Sequence, residues 1–236
     1  MSTLSASARS RAGVAHEERG IAAPVRSVLA GAATAVVILS LALLPLLTPS
    51  WIHPAMTSVG ATGAGVTQAE SLRLSDMTVN ELLFGSGAFD IRYDGGRPLY
   101  SPDEVAHMQD VRLVLFTFLG LATLALAGLA AALVRGGWSA SLWRAIGRGA
   151  ATLVVALVVL GVFAALAFGP AFELFHRLLF PGGNWAFDPA QSNLVRLYPL
   201  AFWQLSAAAY GLLAGGISVI AWLVARRRSR RLEAQA

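Results

Sequence analysis

Ser101-Pro102-Asp103-Glu104-Val105-Ala106-His107-Met108-Gln109-Asp110-Val111 is the stretch on which the reading of this chain turns. Ser101 is a good N-cap, Pro102 suits the first helical position, and Glu104 completes an S-x-x-E capping box. A helix therefore starts at Ser101 and passes without a break into the apolar run beyond Val111, which is long enough to cross a bilayer. On that helix Asp103, His107 and Asp110 fall at i, i+4 and i+7 and share one face. Acidic first turns are routine at helix entrances, so the bland reading is a solvated cap above a membrane span. What sharpens it is a second histidine, His176, expected at the same membrane surface.

Composition sets the class. Of 236 residues, 56% are hydrophobic and only 13% charged, as in a polytopic membrane protein and not a soluble domain. No cysteine is present, which excludes disulfides, thiolate nucleophiles and cysteine metal sites. All 18 basic residues are arginine, which reads as codon bias.

The expected fold is all-α: a bundle of four transmembrane helices with a small extracytoplasmic lobe containing a β-hairpin. Residues 1–26 read as a disordered cytoplasmic tail, 27–225 as the membrane domain and 226–236 as a basic cytoplasmic tail. The spans fall at about 28–47, 111–134, 150–168 and 200–224, each near the ~20 residues a bilayer requires. The first is expected to remain uncleaved, because Thr48-Pro49-Ser50-Trp51 is a poor signal-peptidase site. Between spans lie loops 48–110 and 169–199. In the first, Ser75–Phe84 predicts a short amphipathic helix burying Met77, Leu82 and Phe84. Phe89–Tyr93 and Arg97–Tyr100 flank Asp94-Gly95-Gly96 as a hairpin, with Pro98 on an edge. In the second, Phe172–Phe180 predicts a helix at the lipid–water boundary.

Arginine placement predicts orientation. The N-terminal tail, the 135–149 loop and the C-terminal tail hold 12 of the 18, while the other two segments carry ten of the 13 acidic residues. The positive-inside rule then puts both termini in the cytoplasm and both histidine segments outside the cell membrane. The basic tails are topology signals, with no nucleic-acid role expected. Within the spans almost nothing ionises, which argues against a translocation path. Gly211-x-x-x-Gly215 reads as a packing motif of the last span.

Of four histidines, His16 lies in the tail and His53 just outside the first span. His107 and His176 stand out because each has a nearby carboxylate, Asp103 or Asp110 for one and Glu173 for the other. A carboxylate that orients an imidazole prepares it as a general base. No G-x-S-x-G or S-x-x-K marks a protein nucleophile, and no H-E-x-x-H spacing marks zinc. Acyl transfer would then be direct, with the attacking group supplied by the substrate. No cofactor and no metal is expected.

The segment His107-Met108-Gln109-Asp110-Val111, with Phe175-His176-x-x-x-Phe180, Asn184-Trp185-x-Phe187 and Tyr198-Pro199-x-x-Phe202-Trp203, resembles a family of bacterial four-span membrane proteins. That family includes the lipoprotein intramolecular transacylases. The resemblance implies acyl transfer from the glyceryl group of a lipoprotein's N-terminal lipidated cysteine to that cysteine's α-amine. The substrate would be a diacylglyceryl lipoprotein, met at the outer leaflet among membrane lipid. It also implies that His107 and His176 are catalytic, with Asp110 orienting His107 and with Arg177 and Asn184 as oxyanion donors. Glu104, Glu173 and Trp185 complete the supporting set. The pattern departs at Gln191-Ser192-Asn193 and at Leu200, where the family carries acidic residues. The competing expectation is a non-catalytic membrane protein whose outer lobe binds a protein or lipid partner.

Overall fold

The computed structural model describes residues 24–62, 65–93 and 95–236. The expected tail as far as Ala23 lies outside them, and Pro24–Arg26 is already helical. Four helices are long and apolar enough to cross a membrane: α1 (Pro24–Leu47), α4 (Pro102–Gly136), α5 (Ala140–Leu166) and α8 (Leu200–Glu233). Between them lie α2 (Pro49–Ser58), α3 (Gln68–Leu83), β1 (Arg92–Tyr93), β2 (Arg97–Pro98), α6 (Phe168–Leu179) and α7 (Asn193–Leu197). The protein is thus an all-α membrane protein with one two-stranded hairpin.

Each long helix outruns its apolar core. The last turn of α1, Leu44–Leu47, tightens to a 3₁₀ helix at Pro45, which has no N–H to donate. Helix α5 starts ten residues before the apolar run because Ser139 Oγ caps it, accepting from the Leu142 N–H at 3.3 Å. Helix α8 continues through the arginines to Glu233, so residues 226–233 extend the last helix.

The chain folds as two compact units. Of the described residues, one takes in 24–37, Thr123–Val154 and Ser218–Ala236; the other takes in those of Ile38–Ala122 and Val155–Ile217. In the first, glycine meets glycine. A Cβ on Gly149 would stand 2.2 Å from the carbonyl oxygen of Gly31, so α1 and α5 approach as only small residues allow. Among the described residues nothing lies within 4 Å of a Cβ built on Gly211 or Gly215, so these two glycines make no close helix contact of the Gly31–Gly149 kind. Gly149→Ala should therefore cost about 1–3 kcal/mol, the usual effect of overpacking. Thermal melting in detergent should show a clear fall for Gly149→Ala and none for Gly211→Ala; equal melting would refute the contact.

The second unit holds the core, in which Met56, Leu74, Phe89, Leu99 and Leu197 are almost fully buried. Helix α3 turns Ser71, Leu74, Ser75, Thr78 and Leu82 inward, while Met77 and Phe84 stay exposed, contrary to expectation. The inward face carries small hydroxyls because two tyrosines need partners. Ser75 Oγ lies 2.9 Å from the Tyr198 hydroxyl, and Thr78 Oγ1 lies 2.7 Å from that of Tyr100. Burial pushes the Tyr198 phenol up to about 12, so it stays protonated and hydrogen-bonding.

The hairpin is two residue pairs long, Arg92 opposite Pro98 and Tyr93 opposite Arg97. Gly95 and Gly96 turn it with φ of 77° and 96°. Helix α2, absent from the sequence reading, is tied to α3 by His53 Nε2 and Asp76 Oδ1 at 2.7 Å. Arg112 of α4 closes the C-terminus of α3, donating to the carbonyls of Glu81, Leu82 and Gly85 at 2.6, 2.5 and 2.8 Å. The Glu81 carboxylate accepts from Ser86 Oγ and from the N–H groups of Gly87 and Ala88 at 2.7–2.9 Å. Those donors, Ser86 first, hold its carboxyl below the ordinary range. The loop between α3 and the hairpin is therefore fastened at both faces.

Candidate functional site

The first turns of α4 and the last turns of α6 bring two histidines together. The capping box forms as read: Ser101 N–H donates to Glu104 Oε2 at 2.7 Å, and Glu104 N–H to Ser101 Oγ at 3.3 Å. That start places His107 one turn inside α4. Its ring centroid is 6.1 Å from that of His176, with 28° between the planes. Both are nearly buried, 7% and 8% exposed.

Aromatic rings close around the pair. Phe180 and Phe187 meet His107 edge-on at 4.9 and 5.7 Å. Phe172 and Trp185 stand 4.1 and 5.1 Å from His176. The i−4 and i+4 spacing of Phe172 and Phe180 about His176, and the Asn184-Trp185-x-Phe187 motif, were the sequence signals for this collar.

The partner of each histidine differs from the expected one. His176 Nδ1 lies 2.7 Å from the Phe172 carbonyl oxygen. A carbonyl can only accept, so Nδ1 carries the proton and Nε2 keeps its lone pair. Glu173 is not that partner. It accepts from Arg177 at 2.5 Å, and both side chains are exposed, which removes Glu173 and Arg177 from the site. Burial pushes the His176 imidazole below its ordinary value, partly opposed by the Phe172 carbonyl.

His107 Nδ1 is buried without a hydrogen-bond partner among the described residues, so Asp110 does not orient it through a hydrogen bond. Asp110 Oδ2 instead accepts from Asn184 Nδ2 at 2.9 Å. Because a carboxylate only accepts, the amide nitrogen must face Asp110 and the amide oxygen is the free end. That oxygen is buried and has no partner among the described residues. Asn184 thus offers an acceptor to the site where an oxyanion donor was expected. Asp103 stays exposed at the cap.

Glu104, 3% exposed, does more than cap. Its Oε1 accepts from Ser192 Oγ at 2.5 Å and from the Leu194 N–H at 2.8 Å. Asn193 Nδ2 donates to the Leu99 carbonyl at 2.8 Å. These bonds fasten the far end of the segment that carries Asn184, Trp185 and Phe187.

Because the fold disfavours protonated His176, the unfolded chain binds its proton more readily. Stability should hold above the unfolded imidazole value of about 6.5 and fall as the pH drops below it. Melting followed from neutral to mildly acidic pH should show a steeper loss for the native chain than for His176→Gln. Parallel curves would contradict the burial assignment.

The family model for lipoprotein intramolecular transacylase Lit matches residues 74–203, more than half of the chain. A curated protein of Aquifex aeolicus (strain VF5), described as uncharacterized, is 27% identical over 143 residues. That match covers 59% of this chain and 63% of the relative's length. The in meso structure of Lit from Bacillus cereus is 21% identical, with a TM-score of 0.72 over 91% of this chain and 99% of that one. A variant of the Bacillus cereus protein with one histidine replaced by arginine superposes with a TM-score of 0.69 at 20% identity, over 96% of this chain and all of that one. By the family match the chain belongs to the lipoprotein intramolecular transacylase family, Lit.

Proposed function

We propose that this chain is a membrane transacylase that moves an acyl group within a diacylglyceryl lipoprotein. The acyl chain passes from a glyceryl ester oxygen to the α-amine of the lipidated N-terminal cysteine. The amine nitrogen bonds to the ester carbonyl carbon, the carbon–oxygen bond to glycerol breaks, and the amine's proton ends on the glycerol hydroxyl. His176 Nε2 takes the proton, since Nδ1–H is committed to Phe172. His107 donates to the developing oxyanion or to the leaving alkoxide. Asp110 attracts the substrate's α-ammonium, which sheds one proton to solvent before attack, and Asn184 Oδ1 accepts from an N–H of the resulting amine. The single observation behind this reading is the pair of nearly buried imidazoles at 6.1 Å with one tautomer set by the backbone.

Donor ester and acceptor amine belong to one molecule, so orientation supplies much of the rate. The active face is assigned to the extracytoplasmic side and both termini to the cytoplasm, on the arginine distribution. Mass spectrometry of lipoprotein N-termini tests the function. Expression should convert free α-amines to N-acyl forms with one ester lost; an unchanged pattern on both deletion and expression removes the transacylase assignment and leaves the binding-protein reading.

A further inference from the structure

In the other compact unit, α5 and α8 line an open groove of about 230 Å³. Three arginines line it, Arg144, Arg148 and Arg226, together with Trp143, Trp222 and Ser229. Arg144 pairs with Glu233, and Arg148 donates to Ser27 Oγ. Arg226 lies over the Trp222 ring at 5.6 Å. Among the described residues neither Arg148 nor Arg226 has a carboxylate partner, so the groove keeps an excess of two positive charges.

Its place in the helices says what kind of anion belongs there. On α8 the two turns before Arg226 carry an exposed apolar strip at i−3 and i−6, with Leu223 at 39% and Ile220 at 64%. Trp138 stacks on Trp143 at 4.9 Å, adding a third indole at the level where tryptophans mark the membrane–water boundary. A ligand here meets arginine at one end and hydrocarbon at the other. Guanidinium forks match phosphate oxygens two at a time.

We propose that this groove holds the phosphate of an anionic glycerophospholipid, with its acyl chains lying along the exposed apolar face of α8. An anionic headgroup is favoured over a zwitterionic one because, among the described residues, the one carboxylate beside the groove, Glu233, is already paired with Arg144, and none is paired with Arg148 or Arg226. The site is separate from the acyl-transfer chemistry and does not depend on it.

The full-length protein in phosphatidylcholine vesicles containing a minority of phosphatidylglycerol provides the test. Brominated phosphatidylglycerol should quench Trp143 and Trp222 more strongly than brominated phosphatidylcholine, the signal being isolated by subtracting the Trp143→Phe/Trp222→Phe variant. Arg148→Gln/Arg226→Gln should lower that preference by about fivefold for each arginine removed. Inorganic phosphate at matched ionic strength should leave it intact. Equal quenching by the two lipids overturns the proposal, and so does a preference unchanged in the arginine variant. Loss of the preference to inorganic phosphate overturns it in favour of a free-anion site. If the arginine variant fails to insert, the comparison of the two lipids on the unaltered protein decides alone.

Discussion

His176→Ala is expected to lower acyl transfer by about 10²–10⁴-fold, the usual worth of a positioned general base. The residue supplies a nitrogen lone pair on a ring whose tautomer the backbone has already set. Its Nδ1–H is spent on the Phe172 carbonyl, so Nε2 is the only atom of that ring free to take a proton. Glu173, the nearest carboxylate in sequence, is held outside by Arg177 and cannot substitute. The alanine variant should still insert, because the lost ring faces side chains and makes no bond between distant segments. Measured on a diacylglyceryl lipopeptide in nanodiscs, the loss should appear with little change in melting temperature. His107→Ala should be comparable, and the double variant little worse than either single one, since residues acting as a unit are not additive. A His176→Ala protein that transfers acyl groups at near-native rate would end the acid–base account while leaving family membership untouched.

Glu104→Ala should give the largest loss of stability, about 3–5 kcal/mol. The carboxylate takes bonds from Ser101 N–H, Ser192 Oγ and Leu194 N–H. Removing it leaves buried donors without partners, at roughly 1–3 kcal/mol each. Ser192→Ala removes one donor together with its need for a partner and forfeits the cap that Ser192 Oγ gives the Val195 N–H, so it should cost less, about 0.5–2 kcal/mol. A double-mutant cycle between the two positions should show coupling, because they share one hydrogen bond. Activity should fall with Glu104→Ala as well, since the segment carrying Asn184, Trp185 and Phe187 loses its fastening to α4. A melting temperature unchanged by Glu104→Ala would show that this tether bears no strain-free load in the native fold.

Much of this was legible beforehand. The capping box at Ser101 and the apolar runs marked α4 and the spans, because both signals are local and strong. The meeting of His107 with His176 followed from both lying at one membrane surface, and from the resemblance of their flanking residues to one family. What stayed hidden depends on contacts far apart in sequence. Met77 and Phe84 are apolar and yet exposed, because the inward face of α3 serves the hydroxyls of Tyr100 and Tyr198, 22 and 123 residues away along the chain. Glu173 sat at the right spacing to reach His176, but Arg177 was equally near and carries the opposite charge. Helix α2 is short and carries two prolines, a composition with no strong helical signal, although Pro49 occupies a first-turn position where no N–H is required.

The ring of aromatic side chains around the histidines bears on how faithfully such a catalyst would work. An ester activated for attack is as open to water as to an amine, and each encounter with water would release a free fatty acid and squander the donor. Phe172, Phe180, Trp185 and Phe187 occupy the volume that solvent would need. Trimming Phe187 to alanine should therefore raise the yield of liberated fatty acid relative to amide product, even where total turnover declines.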